Sequence, residues 1–225
     1  MGLHINEEKT KIMLLGKKPL DQRMSRLEMG PYNFEVVRSF TYLGSIINEN
    51  QDEEEEEVKS RIAAANRAYL SIVRLIKSRL VSRTTKFTLY KTLIRPVVTY
   101  GGKSWTLSNK SINLLDRFER VILRRILGAV CQNGNWRRRK NGELFGLYKE
   151  CISAYIRIQR LKWLGHVMRM SEERVAHKLY SYVPDGVRQR VRPKGRWRDA
   201  VSRDLRKILK STEFVIHNPL ITSNI

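Results

Sequence analysis

The chain contains only two cysteines, Cys131 and Cys151, and no Cys-x-x-Cys spacing. A disulfide scaffold is thereby excluded, and isolated thiols suit a reducing compartment. Histidine is as sparse, at positions 4, 166, 177 and 217, so no zinc finger or zinc knuckle can be assembled at the usual ligand spacings. No stretch approaches the roughly 18 uninterrupted apolar residues of a spanning helix. The start, Met1-Gly2-Leu3-His4-Ile5-Asn6, lacks the basic-then-apolar order of a secretory signal. The expected location is intracellular, nuclear or cytoplasmic, with no secretion and no membrane partner.

Acidic residues are also in short supply: 22 Asp+Glu face 44 Lys+Arg in 225 residues, a formal net charge of +22. A surplus of this size repels itself in the compact state and is expected where the partner is a polyanion. Apolar residues make up 41%, enough for an ordinary core in one or two domains.

Residues 1–47 read as three or four short antiparallel strands. Ile12-Met13-Leu14-Leu15 is an apolar run ending at Gly16, Gly30-Pro31 is a turn signal, and Phe34 to Ile47 is rich in Val, Ile, Phe and Tyr. From Asp52 the period becomes helical. Val58, Ile62, Ala65, Tyr69, Ile72 and Ile76 form one apolar stripe. The run Glu53 to Glu57 reads as a solvated first turn that complements the helix dipole. A second helix is expected after the cap Ser82 and should stop near Arg95-Pro96, with Phe87, Tyr90 and Ile94 on one face. A third runs from Ser108 to Gly128 and buries Ile112, Leu115, Phe118, Ile122 and Ile126. Asn133-Gly134-Asn135 is a turn. A long helix over about Leu147–Met170 is expected to present Tyr155, Ile158, Leu161 and Val167, and a last helix carries Trp197, Val201, Leu205 and Leu209. The tail from Ser211 is expected to fray.

The basic surplus is uneven. Residues 1–115 hold 19 basic and 12 acidic groups, and residues 116–225 hold 25 and 10. Arg188, Arg190, Arg192, Lys194, Arg196 and Arg198 occupy alternate positions, which in an extended backbone would share one side at about 6.6 Å spacing. A second basic run is Arg137-Arg138-Arg139-Lys140, directly after Trp136. Arginine favours forked phosphate contacts. Trp136 and Trp197, each beside arginines, could stack on unpaired bases or could instead anchor the core.

The order of short motifs resembles the downstream portion of reverse transcriptases of non-LTR (LINE-type) retrotransposons. The matching residues are Gly2-Leu3-His4-Ile5-Asn6 with Lys9-Thr10-Lys11, Phe40-Thr41-Tyr42-Leu43-Gly44, Leu89-Tyr90-Lys91, Tyr100-Gly101, Phe118-Glu119-Arg120, Arg160-Leu161-Lys162-Trp163-Leu164-Gly165-His166 and Arg192-Pro193-Lys194 with Arg196-Trp197. They run in order over about residues 2–205. The resemblance implies an α+β, mainly α chain. A small antiparallel remnant of the polymerase palm and primer grip would occupy residues 1–50, a thumb-like helical bundle 51–130, a basic helical nucleic-acid-binding region 131–210, and a frayed tail 211–225. It implies that Lys9 lies near the phosphates of an incoming nucleotide. It also implies that Phe40, Tyr42, Leu43 and Gly44 belong to the hairpin gripping the primer end.

The departures are informative. In the resembled family the catalytic aspartates lie upstream of these motifs. Asp21, Asp52, Asp116, Asp185, Asp199 and Asp204 include no adjacent pair able to hold two Mg²⁺ ions. The expectation is therefore a truncated, transposon-derived fragment that binds RNA or DNA, has no catalytic residues, metal site or cofactor of its own, and could meet a separate palm and fingers half. Mg²⁺ would belong to the complete enzyme. Two alternatives stay open: a host-recruited, non-enzymatic DNA- or RNA-binding protein, and a Mg²⁺-dependent endonuclease hinted at only by Pro184-Asp185.

Overall fold

A computed structural model describes residues 5–14, 25–48, 53–183 and 195–216. The chain divides into two compact units, Met1–Glu57 and Val58–Ile225.

The first unit is built from short strands. β1 (Lys11–Ile12), β2 (Arg26–Met29) and β3 (Tyr32–Val36) form one sheet in the order β1-β3-β2. β2 and β3 make a hairpin through Gly30, whose φ of 60° suits the residue without a Cβ. The β1–β3 pairing is parallel, contrary to the all-antiparallel expectation, because β1 reaches β3 by a connection rather than a tight turn. A separate hairpin joins β4 (Ser39–Tyr42) to β5 (Ser45–Asn48). Leu15 and Gly16 lie outside the described residues.

Helix α1 (Glu53–Lys77) follows, and its apolar stripe forms as the sequence indicates: Val58, Ala65 and Ile76 are fully buried, with Ile62, Tyr69 and Ile72 packed beside them. Its acidic start is not uniformly solvated. Glu57 is buried, and its Oε2 accepts the Ile46 N–H at 2.9 Å, so one glutamate of the run supplies an acceptor to the β4–β5 hairpin.

Beyond α1 the core is helical. α2 (Arg83–Leu89) starts at Ser82, whose hydroxyl accepts the Thr85 N–H. It does not end at Pro96. A π-helical turn, Tyr90–Ile94, lets the Arg95 N–H reach the Tyr90 carbonyl, and α3 (Arg95–Val98) carries on through the proline. A proline removes one N–H and crowds the preceding turn, and the wider turn accommodates that defect without ending the helix. Tyr90, Ile94 and Val98 all stay fully buried.

α4 (Asn109–Leu127) is capped by Ser108 and ended by Gly128 at φ 72°, and it buries Leu115, Phe118, Ile122 and Ile126. A hairpin of β6 (Val130–Gln132) and β7 (Asn135–Arg137) turns through Asn133 and Gly134, both at positive φ. The single long helix expected over 147–170 is two helices, α5 (Asn141–Tyr148) and α6 (Ile152–Met168). Lys149, at φ 59°, makes the break. The buried face of α6 is Ile152, Ile156, Arg160 and Val167, whereas Ile158 is 48% exposed. α7 (Val175–Ser181) precedes α8 (Trp197–Ile216), in which Ala200, Val201 and Asp204 are buried and Leu205 is largely exposed. The helix assignment of α8 extends to Ile216.

Two polar junctions fix the helices. In the first, the Tyr90 hydroxyl donates to Glu119 Oε1 at 2.7 Å and the Ile152 N–H donates to Glu119 Oε2 at 2.8 Å. Glu119 on α4 thereby ties down the π-turn and caps α6, whose own N-cap, Cys151, makes no side-chain cap bond. In the second, the buried Arg160 guanidinium donates to Asp204 of α8 and to the Trp105 carbonyl, while Arg157 lies 3.5 Å from the same carboxylate. The loop joining α3 to α4 is held close to α6. A Cβ on Gly102 would meet the Thr99 carbonyl at 3.0 Å and Ile156 at 3.4 Å.

The second junction predicts a strong asymmetry. Asp204→Ala leaves a buried guanidinium unpaired and should cost about 3–5 kcal/mol, read as a lowered urea midpoint, whereas an apolar pair at 160 and 204 should recover much of that loss. The first junction predicts a pH dependence. Burial pushes the Glu119 carboxyl up from 4.5 to about 7, the nearby Asp116 charge adds to the rise, and the bonds from Tyr90 and Ile152 oppose it. Between those two values the folded chain keeps a proton that the unfolded chain releases. Stability should therefore fall by about 3 kcal/mol as pH rises from 4.5 through 7. Melts of Glu119→Gln, whose carbonyl can accept the Ile152 N–H while its amide donates to the Tyr90 oxygen but which cannot ionise, should show that slope removed.

Candidate nucleic-acid interface

The basic run after β7 is sorted by strand alternation. Along residues 136–140 exposure alternates, with 136, 138 and 140 outward and 137 and 139 half-buried. Arg137 makes a two-pronged contact with Glu143, at 2.6 and 3.1 Å, and donates to Gln132 Oε1 at 2.8 Å. The hydrogen bonds from Arg137 and from the Lys140 N–H hold the Glu143 carboxyl down at about 2. Arg139 donates to the Gly128 carbonyl at 3.1 Å, satisfying a free acceptor at the end of α4. Two of the four basic residues expected to meet nucleic acid thus hold the hairpin and α5 in place. Arg138 and Lys140 face solvent.

Trp136 shares their outward side and is 75% exposed. Its ring is not a core anchor. An indole left this open, two residues before an outward arginine, offers a flat face for an unstacked base.

Arg120 and Arg124 of α4 join this surface, though the sequence reading did not select them. Arg124 donates to the Arg139 carbonyl at 3.2 Å and to Asn141 Oδ1. Desolvation and the positive charges of Arg138 and Arg120 pull its guanidinium below its ordinary value. No ion pair with a carboxylate is found for Arg120, Arg124 or Arg138 among the described residues. Like charges four residues apart on a helix cost stability. Their grouping next to Arg138 therefore creates a strong field awaiting an anion. The sequence signal was the i, i+4 arginine spacing, hidden because the third member lies on another element.

The remaining candidates are placed as follows. Arg188, Arg190, Arg192 and Lys194 lie outside the described residues, as does Asp185. Arg196 precedes α8 and Arg198 lies within its first turn, so these two do not continue an extended row, and Arg198 sits over the Tyr180 ring at 5.4 Å. Trp197 is half-buried, and its indole N–H donates to the Lys103 carbonyl at 2.7 Å, a structural role. Lys9 is exposed in a turn where its N–H meets Asn6 Oδ1 at 3.1 Å.

Phe40 and Tyr42 lie on one side of β4 with ring centroids 6.5 Å apart, both exposed. The turn that follows places Leu43 at φ 49° and Gly44 at φ 82°, with Leu43 74% exposed. A branched aliphatic residue in the left-handed region is strained, and here the tight hairpin imposes it. Among the described residues no cluster of three or more potential metal ligands occurs, and no helix is long and apolar enough to cross a membrane.

The chain is similar to an uncharacterised protein of Caenorhabditis elegans described as transposon-derived, with 23% identity over 209 residues covering 91% of this chain and 74% of that protein. No family model matches the chain. No solved structure matches it either.

Substitutions should separate the two classes of arginine. Arg138→Ala should weaken single-strand binding without lowering the melting temperature, reducing the salt slope by about one. Trp136→Ala should cost about 1–3 kcal/mol of binding, measured by fluorescence anisotropy. Arg137→Ala should instead lower the melting temperature.

Proposed function

We propose that this chain is a transposon-derived nucleic-acid-binding protein, corresponding to the distal palm, primer grip, thumb and basic extension of a non-LTR reverse transcriptase, with no polymerase activity of its own. The observation that carries the binding role is the surface of Arg120, Arg124 and Arg138 beside the open Trp136, in which cations are grouped without an ion pair to a carboxylate among the described residues. Phosphates would occupy the cationic part and an unstacked base the indole.

The polymerase lineage rests on the ordered motifs and is consistent with the similarity to a transposon-derived protein. In this reading the β4–β5 hairpin offers Phe40, Tyr42 and Leu43 to a primer end, and Lys9 faces the nucleotide phosphates. The helices from α1 to α4 would lie against a template–primer duplex. The six aspartates include no adjacent pair, so two-metal phosphoryl transfer has no donor set in these 225 residues.

Two measurements test the proposal. Affinity for single-stranded RNA should drop at least about a thousand-fold between 50 and 200 mM salt, as six to ten phosphate contacts require. A flat salt response would refute the binding role. Incubation with primed RNA, Mg²⁺ and deoxynucleotides should give no extended product, and synthesis by the purified chain would refute the inactive reading.

A further inference from the structure

Two of the ordered motifs, Lys162-Trp163 with His166 and Arg196-Trp197, have no part in the α4–hairpin surface. The fold brings them together. The Trp197 indole N–H is held by the Lys103 carbonyl at 2.7 Å, and the Lys103 ammonium lies 6.0 Å from the centre of the Trp163 ring. Lys103, in the loop between α3 and α4, thereby joins the far end of α6 to the start of α8.

Helical spacing sorts the side chains of α6. Its buried side carries Ile152, Ile156, Arg160 and Val167. Lys162, His166 and Arg169, related by steps of four and three, lie to one side of it and are all exposed. Trp163 stands between the two and is 37% exposed. His166 steadies its ring, with centroids 5.3 Å apart. Arg169 folds back along the helix, where a Cβ on Gly165 would meet its guanidinium at 3.3 Å. The nearby tryptophans are committed: Trp105 is buried and Trp197 donates to Lys103. The Trp163 indole N–H makes no hydrogen bond among the described residues.

The acids nearest in sequence are Glu172 and Glu173, in the turn after α6, and Asp199, in the first turn of α8. Lys103, Lys162, Arg169, Arg196 and Arg198 form no ion pair with a carboxylate among the described residues. Five unpaired cations around an exposed indole have the composition of a single-strand platform, in which phosphates take the charges and a base takes the ring.

This surface is separate from that of Trp136. α6 runs antiparallel to α4: its first N–H meets Glu119, and Arg160 meets the Trp105 carbonyl, just before the cap of α4. Trp163 therefore lies beyond the start of α4, whereas Arg120 and Arg124 lie toward its end. The helix rises about 24 Å from Ser108 to Arg124, too far for one nucleotide to reach both.

Resting on the nucleic-acid-binding role proposed above, we infer that the Trp163 surface is a second site for single-stranded nucleic acid, so that one chain holds two strand segments at once. An unstacked base lies against the exposed part of the indole, and Lys103, Lys162 and Arg169 hold phosphates. An acidic protein would engage the cations but brings no base for the ring.

The four tryptophan indole N–H resonances of the full chain test this, with Trp163 assigned through Trp163→Phe and Trp136 through Trp136→Ala. Titration with a ten-nucleotide oligouridine should shift both. The Trp163 shift should survive Trp136→Ala combined with Arg138→Ala. It should vanish in Lys162→Gln combined with Arg169→Gln, which should also reduce the salt slope of binding by about two and leave the melting temperature unchanged. Should that pair prove destabilising, Lys103→Gln serves instead, because the Lys103 backbone and not its side chain holds Trp197. A deoxyuridine strand distinguishes DNA from RNA as the source of the phosphates and base. A shift at Trp136 alone overturns the second site and leaves the first intact, whereas a shift at Trp163 alone upholds the second and refutes the first. A Trp163 shift that persists in these glutamine variants, or that polyglutamate produces equally, overturns the second site. So does the absence of any Trp163 shift with either strand.

Discussion

The helical unit depends on a carboxylate buried where three segments meet. Glu119 accepts from the Tyr90 hydroxyl and from the first backbone N–H of α6, so one side chain positions the π-turn, α4 and the start of α6 together. Had residues 147–168 formed one continuous helix, the Ile152 N–H would have bonded within its own turn and Glu119 would have been left half-satisfied in the core. The break at Lys149 and the glutamate are therefore a matched pair. The break also separates α5, which packs on α4, from α6.

What could be read from the sequence was what is encoded locally. Ser82, Ser108 and Gly128 mark helix ends by chemistry that acts within one turn, and the α1 stripe needs only its own periodicity. What could not be read was decided by distant partners. Arg160 takes a core position because Asp204 and the Trp105 carbonyl await it, and that turns Ile158 outward against its hydrophobicity. The site follows the same division. The basic run at 137–140 was visible, but its split into inward and outward members depended on Glu143 and the Gly128 carbonyl. Arg120 and Arg124 become part of the surface only when the β6–β7 hairpin folds back on α4.

The distribution of acids reinforces the distribution of bases. Glu57, Glu119, Glu143 and Asp204 are each committed to an internal donor. Arginines 120, 124 and 138 have no ion pair with a carboxylate among the described residues, and Arg124 donates only to neutral acceptors. The net charge of the sequence is thus a poor guide to the local field, because Glu143, an acid beside the hairpin, is taken up by Arg137.

The π-turn before Pro96 also has a consequence for how the chain can change length. Such a turn holds one residue more than the α-helical turn it replaces, and the surplus is absorbed without rotating the flanking helices out of register. Removal of that one residue would leave a seven-residue spacing between Tyr90 and Val98, which returns both side chains to the same face in two α turns. It requires that Pro96 be exchanged in the same lineage, since a proline in a regular turn would collide with the preceding carbonyl. Length and composition at this point are thus coupled, and a lineage that closes the turn must lose its proline.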